Sequence, residues 1–136
     1  MPFKKAVIHT DGGAEPNPGQ AAIAAVIRDE KGNLLASICE SIGFATNNQA
    51  EYRAIIAALE KTISLGVTEA SLFSDSELVV RQLKGQYRVK AEDLKPLYLK
   101  VMQLKAKLAK FAITHIPREK NSEADALASR GIRRRN

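Results

Sequence analysis

Thr46-Asn47-Asn48-Gln49-Ala50-Glu51-Tyr52 is where the chain changes from strand-like to helix-like patterning. A threonine followed three residues later by glutamine matches a capping box, in which each side chain satisfies the other residue's free backbone amide. Tyr52, Ile55, Ile56, Leu59 and Ile63 then recur at helical spacing until Gly66, which predicts a helix over roughly Asn47 to Leu65. Upstream, Phe3 to Thr10 alternates with β-branched residues and meets Asp11-Gly12-Gly13 and Pro16-Asn17-Pro18-Gly19, a turn-rich cluster expected to end the first strand. Ala21 to Arg28 and Leu34 to Phe44 are apolar runs joined by Asp29-Glu30-Lys31-Gly32-Asn33, whose Lys-Gly-Asn is hairpin chemistry. The chain therefore begins as a three-stranded antiparallel meander.

Downstream, Glu69 to Phe73 reads as a short strand, and Ser74-Asp75-Ser76-Glu77 as a second capping box opening a brief helix through Leu83. Leu94, Leu97, Tyr98, Val101, Leu104 and Leu108 form another amphipathic stripe with a lysine-rich outer face. Phe111 to Ile116 is the expected last strand, and Asn121 or Ser122 caps a final helix that Gly131 is expected to stop. The order βββαβααβα implies an α/β fold with a mixed five-stranded sheet and helices on its faces.

A chain of 136 residues fits one domain, expected to span residues 1–136 with a basic tail from about 130. No stretch approaches the ~18 apolar residues of a membrane helix, and no leader pattern is seen, so a cytoplasmic monomer with no membrane partner is expected. The single Cys39 excludes an internal disulfide and a cysteine zinc cluster. A net charge of +6 favours a polyanionic partner. Basic residues gather at Lys84 to Lys90, at Lys95 to Lys110, and at Arg130, Arg133, Arg134 and Arg135, where a solvated face or frayed end is the plainer reading.

Asp11, Glu51, Asp75 and Asp125 stand apart from the other acids. Asp11 and Asp75 each follow an apolar strand, so if the strands are parallel neighbours both carboxylates emerge at one edge. Glu51 and Asp125 are read in the first turns of their helices, bordering the buried stripes. Singly, each has an ordinary reading as a turn acid or a helix-start acid. Together they would repel one another unless a hard cation such as Mg²⁺ or Mn²⁺ neutralised them.

The blocks around these acids resemble type 1 ribonuclease H. They are Thr10-Asp11-Gly12-Gly13 with Asn17-Pro18-Gly19, Thr46 to Tyr52, Ser74-Asp75-Ser76-Glu77-Leu78-Val79-Val80, and Pro117-Arg118-Glu119-Lys120-Asn121-Ser122-Glu123-Ala124-Asp125-Ala126-Leu127-Ala128. The likeness runs from Ala6 to Ser129. It implies an RNase H-like fold, and an endoribonuclease that hydrolyses the RNA strand of RNA–DNA hybrids to 5′-phosphate and 3′-hydroxyl ends. It further implies that Asp11, Glu51, Asp75 and Asp125 hold two Mg²⁺ or Mn²⁺ ions when substrate is bound. Asn17, Thr46, Asn47 and Asn48 match positions that line the hybrid's minor groove or grip a DNA-strand phosphate. Capping helix one is the plainer duty of Thr46 to Asn48, and the two can coexist.

Two departures from the family pattern stand out. Gly85 to Ala91 is too short for the long basic insertion of many relatives, which leaves Arg81, Lys84, Arg88 and Lys90 as partial substitutes. The loop Pro117 to Asn121 lacks the histidine that many relatives place before the last aspartate. Arg118 or Glu119 are its candidate replacements, and Arg118 is expected to meet the phosphate near the scissile bond; His115 reads as structural. The rival readings are a nuclease of the same scaffold with another substrate, such as double-stranded RNA, and a non-catalytic nucleic-acid-binding module.

Overall fold

The structure, a computed structural model, describes residues 4–133, the last by its backbone only. Arg134 and Arg135 of the basic tail and the expected strand start at Phe3 lie outside the described residues. The elements follow the expected order: β1 Lys5–Glu15, β2 Gly19–Asp29, β3 Leu34–Ala45, α1 Asn47–Ser64, β4 Glu69–Ser74, α2 Glu77–Leu83, α3 Lys95–Lys105, β5 Lys110–His115, a 3₁₀ turn Arg118–Lys120 and α4 Ser122–Arg133. The sheet runs β3-β2-β1-β4-β5. β1 is antiparallel to β2 and parallel to β4, and β4 is parallel to β5. The mixed five-stranded α/β sheet read from the sequence is the one observed.

Helices cover the sheet from both sides, which explains why Ala21 to Ile27 of β2 is buried throughout instead of alternating. Ala25 and Ile27 join Tyr52, Ile55 and Leu59 of α1 in the main core. On the other side α4 packs over β2, β1 and β3. It is tied down where Cys39 Sγ donates to the Leu127 carbonyl at 3.0 Å and Ser41 Oγ donates to the Gly131 carbonyl. The buried hydroxyl of Tyr52 donates to Gln82 Oε1 at 2.7 Å, joining α1 to α2.

Four local expectations are corrected. β1 does not end at Asp11-Gly12-Gly13 but carries its pairing with β2 on to the Glu15–Gln20 rung. Gly12 is not a turn residue: a Cβ there would collide with the Ala50 carbonyl and the Glu51 amide, so its bare backbone is what lets α1 lie against β1. Gly131 does not stop α4, which continues to Arg133; a Cβ at Gly131 would run into Ala22 Cβ at 2.8 Å. Ser74 does not open the second capping box. Ser76 caps α2 by accepting from the Val79 amide, and Ser74 Oγ accepts from the Ser76 amide within the preceding bend. The capping box at Thr46 is complete as read, and Gly66 follows α1 with φ +84°.

Gly12→Ala should cost about 1–3 kcal/mol of stability by overpacking. Gly13→Ala, whose Cβ would meet only Asn47 Oδ1 at 3.7 Å, should be neutral or gain about 0.5–1 kcal/mol by removing a flexible glycine from a strand. Urea unfolding of both variants separates these outcomes, and equal losses would refute the close approach of α1 to Gly12.

Candidate active site

The parallel β1–β4 ladder ends at the Thr10–Ser74 rung, while β1 runs on to Glu15. Asp11 is the next residue of β1 and Asp75 the next after β4, so the two side chains flank a crevice at the carboxyl end of the parallel strands, the common ligand position in such sheets. Glu51 enters from α1, carried there by the contact of Gly12 with the Ala50–Glu51 peptide. It is the fifth residue of that helix, just past the first turn in which the sequence reading placed it. One carboxylate oxygen from each of Asp11, Glu51 and Asp75 lies within 4.8 Å of the others.

Asp125 comes from the first turn of α4, as read, and lies within hydrogen-bonding reach of Asp11. The four acids read from the sequence therefore face one cleft of about 320 Å³, lined also by Asn47, Asn48 and Arg118. Asp11 and Glu51 are buried, whereas Asp75 and Asp125 are half-buried. Burial, followed by the charges of Asp75 and Asp125, pushes Asp11 from an ordinary 3.8 to about 7. Burial, followed by Asp11 and Asp75, holds Glu51 well above the carboxylate range, with the Gly12 amide and Arg118 offsetting only part. Glu51 Oε1 is buried and has no hydrogen-bond partner among the described residues. Crowded anions and an unpartnered buried carboxylate oxygen are the pattern of a divalent-cation site, and this donor set of carboxylates alone suits a hard ion.

The amides around the rim already have intramolecular bonds. Asn47 Oδ1 accepts from the Ala14 amide at 2.8 Å, and Asn17 Oδ1 accepts from the Asn47 amide at 2.9 Å. Both acceptors are thus committed, and the side-chain amide nitrogens have no such bond among the described residues. Thr46 Oγ1 accepts from the Gln49 amide at 3.1 Å. Of Arg118, Glu119 and the nearby His115, Arg118 alone lines the cleft. It pairs with Asp125 Oδ1 at 3.2 Å through a side chain that is 78% exposed. Glu119 is exposed on the 3₁₀ turn and His115 is exposed at the end of β5.

The four basic candidates lie apart from the acids. Arg81 bonds Glu77 Oε2 at 2.9 Å and sits over the Tyr87 ring. Lys84, Arg88 and Lys90 are exposed, with no ion pair among the described residues. Arg88 borders a shallow groove with Tyr87, Tyr98 and Lys95. One residue that contacts the acid cluster is legible in the sequence only as a helix cap. Asn121 is buried, and its Nδ2 donates to the Thr10 carbonyl at 2.8 Å and to Asp75 Oδ2 at 3.2 Å. No local signal marks those contacts, which bridge 111 and 46 positions.

The model of the family described as "Reverse transcriptase-like" matches residues 9–131. The N-terminal RNase H domain of a Mycobacterium tuberculosis protein superposes with a TM-score of 0.92 at 41% identity, covering 94% of this chain and 98% of that one. An RNase H1 isolated from compost by a metagenomic approach, solved in complex with RNA/DNA hybrid, gives 0.90 at 44% identity, covering 95% and 97%. Ribonuclease HI of Halobacterium salinarum is 40% identical over 122 residues, or 90% of this chain. This chain spans 61% of that relative, and 35% of the bifunctional M. tuberculosis protein that it matches at 42% identity over 92% of its own length. The acid cluster, the strand order and these likenesses agree: the chain belongs to the reverse transcriptase-like family and, within it, to type 1 ribonuclease H.

Proposed function

We propose that this chain is an endoribonuclease that hydrolyses the RNA strand of RNA–DNA hybrids, with Asp11, Glu51, Asp75 and Asp125 as its catalytic, cation-holding acids. The observation that carries this reading is the convergence of three carboxylate oxygens within 4.8 Å at the end of the β1–β4 ladder, with Asp125 beside Asp11. When bound, Mg²⁺ or Mn²⁺, two ions with substrate present, supplies a Lewis acid for the scissile phosphate and an attacking water of lowered pKa. The products have 5′-phosphate and 3′-hydroxyl ends, and the working unit is a monomer.

The chain's own side chains supply alignment and charge. With their oxygens committed inside the protein, Asn17 and Asn47 keep amide N–H groups to donate, which suits the acceptor-rich base edges and 2′-oxygens of a wide, shallow minor groove. Thr46 and Asn48 stand beside them at the start of α1, where the helix dipole also favours a phosphate. Arg118 rims the cleft next to Asp125 and meets the phosphate by the scissile bond as the strand enters. Arg81, Lys84, Arg88 and Lys90 add longer-range attraction for the backbone. A cleavage panel of hybrid, RNA duplex and DNA duplex with Mg²⁺ or Mn²⁺ tests the assignment. Cutting of the RNA strand in the hybrid is expected, and preference for either homoduplex would overturn it.

Asp11→Asn removes a ligand whose loss costs several kcal/mol of transition-state stabilisation, so kcat should fall at least roughly a hundredfold. Wild-type turnover in that variant would rule out the site. The same substitution should raise stability in EDTA. With its pKa lifted from 3.8 to about 7, native Asp11 binds its proton more tightly than the unfolded chain does. That stabilisation is complete below pH 3.8 and is lost as pH rises through about 7. The stability of Asp11→Asn relative to wild type should therefore grow between pH 4 and 7 in metal-free melts, and saturating Mg²⁺ should close the gap. Arg118→Ala should lower kcat by roughly 10- to 100-fold, the scale for removing one charge-stabilising donor. Because Arg118 is exposed, its melting temperature should barely move; an unchanged rate would place Arg118 outside the reaction.

A further inference from the structure

We infer that Asn121 is a positioning residue that fixes the spacing of the acid cluster, and thereby how tightly the cluster grips a divalent cation. This rests on the reading of Asp11, Glu51, Asp75 and Asp125 as cation ligands. Asn121 lies between the 3₁₀ turn and α4 and is 1% exposed. Its Nδ2 has two protons and two acceptors, the carbonyl of Thr10 at 2.8 Å and Asp75 Oδ2 at 3.2 Å. Its backbone carbonyl accepts from the Asp125 amide at 3.0 Å. One residue thus holds the peptide leading into Asp11, the carboxylate of Asp75, and the backbone of Asp125.

The chemistry of these bonds favours cation binding over simple packing. The amide orientation is set by its partners, since a flip would press Oδ1 against two acceptor oxygens. Oδ1 itself is buried with no partner among the described residues. An apolar side chain of similar size would fill the space without stranding that acceptor; what only the carboxamide adds is a pair of donors aimed at a carbonyl and a carboxylate. A neutral donor restrains the Asp75 carboxylate without bringing in a cation that would compete with a metal, as with the outer hydrogen bonds that orient metal ligands elsewhere. Asp125 differs in that it is paired with the cationic Arg118.

The test is calorimetric titration of Mn²⁺ into wild type, Asn121→Ala and Asn121→Leu, the second of which preserves side-chain volume. The Kd for Mn²⁺ should weaken roughly 10- to 100-fold in both variants. The Mn²⁺ concentration for half-maximal cleavage should rise in proportion, with hybrid KM at saturating Mn²⁺ unchanged. A lower melting temperature with an unaltered Mn²⁺ Kd would overturn the proposal, since a purely structural tie behaves that way. Absence of Mn²⁺ binding to the wild type would overturn the cation site itself, a failure distinct from the first. Should the variants not fold, NMR of wild type decides: the Asn121 Nδ2 protons should shift on Mg²⁺ addition with the Kd that calorimetry gives for Mg²⁺, and resonances that stay fixed would overturn the inference.

Discussion

β1 and β4 run parallel and in register to Thr10 and Ser74, and there β4 stops while β1 continues. Asp11 and Asp75 are left side by side with the crevice open between them, and Glu51 and Asp125 reach in from helices on opposite faces of the sheet. Two like charges 4 Å apart repel by about 4 kcal/mol at an effective dielectric of about 20, so without cations the cluster relieves itself by holding protons. Burial first, and this repulsion second, raise the pKa of Asp11 and Glu51. Affinity for a divalent ion and the cost of gathering the acids have the same origin.

Bringing helices to both faces of β2 close enough to deliver two of those acids requires backbone without side chains. Gly12 admits the first turn of α1 and so places Glu51. Gly131 admits α4 over Ala22 and so holds the helix that carries Asp125. The small residues Ala21, Ala22, Ala24 and Ala25 extend the same economy of volume along β2. The fold thus reaches the active site through packing distance as well as through strand register.

Much of this was legible from the residues. The capping box at Thr46, the apolar stripes of α1 and α3 and the hairpin after Asp29 are set by local chemistry, and they appear with boundaries shifted by a few residues at most. The four acids could be singled out because each stands at an element's edge, and the family resemblance joined them. Glycine was the failure. Gly12, Gly13 and Gly131 were read as turn or stop signals, yet none has a positive φ. A sequence does not tell a glycine kept for a left-handed backbone from one kept for its missing Cβ, because the second reason lies in another element. The contacts of Asn121 are hidden on the same ground: its partners are settled only when α4 meets the ends of β1 and β4.

The central claim is that Asp11, Glu51 and Asp75, with Asp125 beside them, form a divalent-cation site. The most direct measurement is anomalous diffraction from crystals of the protein equilibrated with Mn²⁺ near the manganese edge. A peak within coordination distance of the Asp11, Glu51 and Asp75 carboxylates is expected. Manganese bound only elsewhere, or an empty cluster at millimolar Mn²⁺, would contradict it.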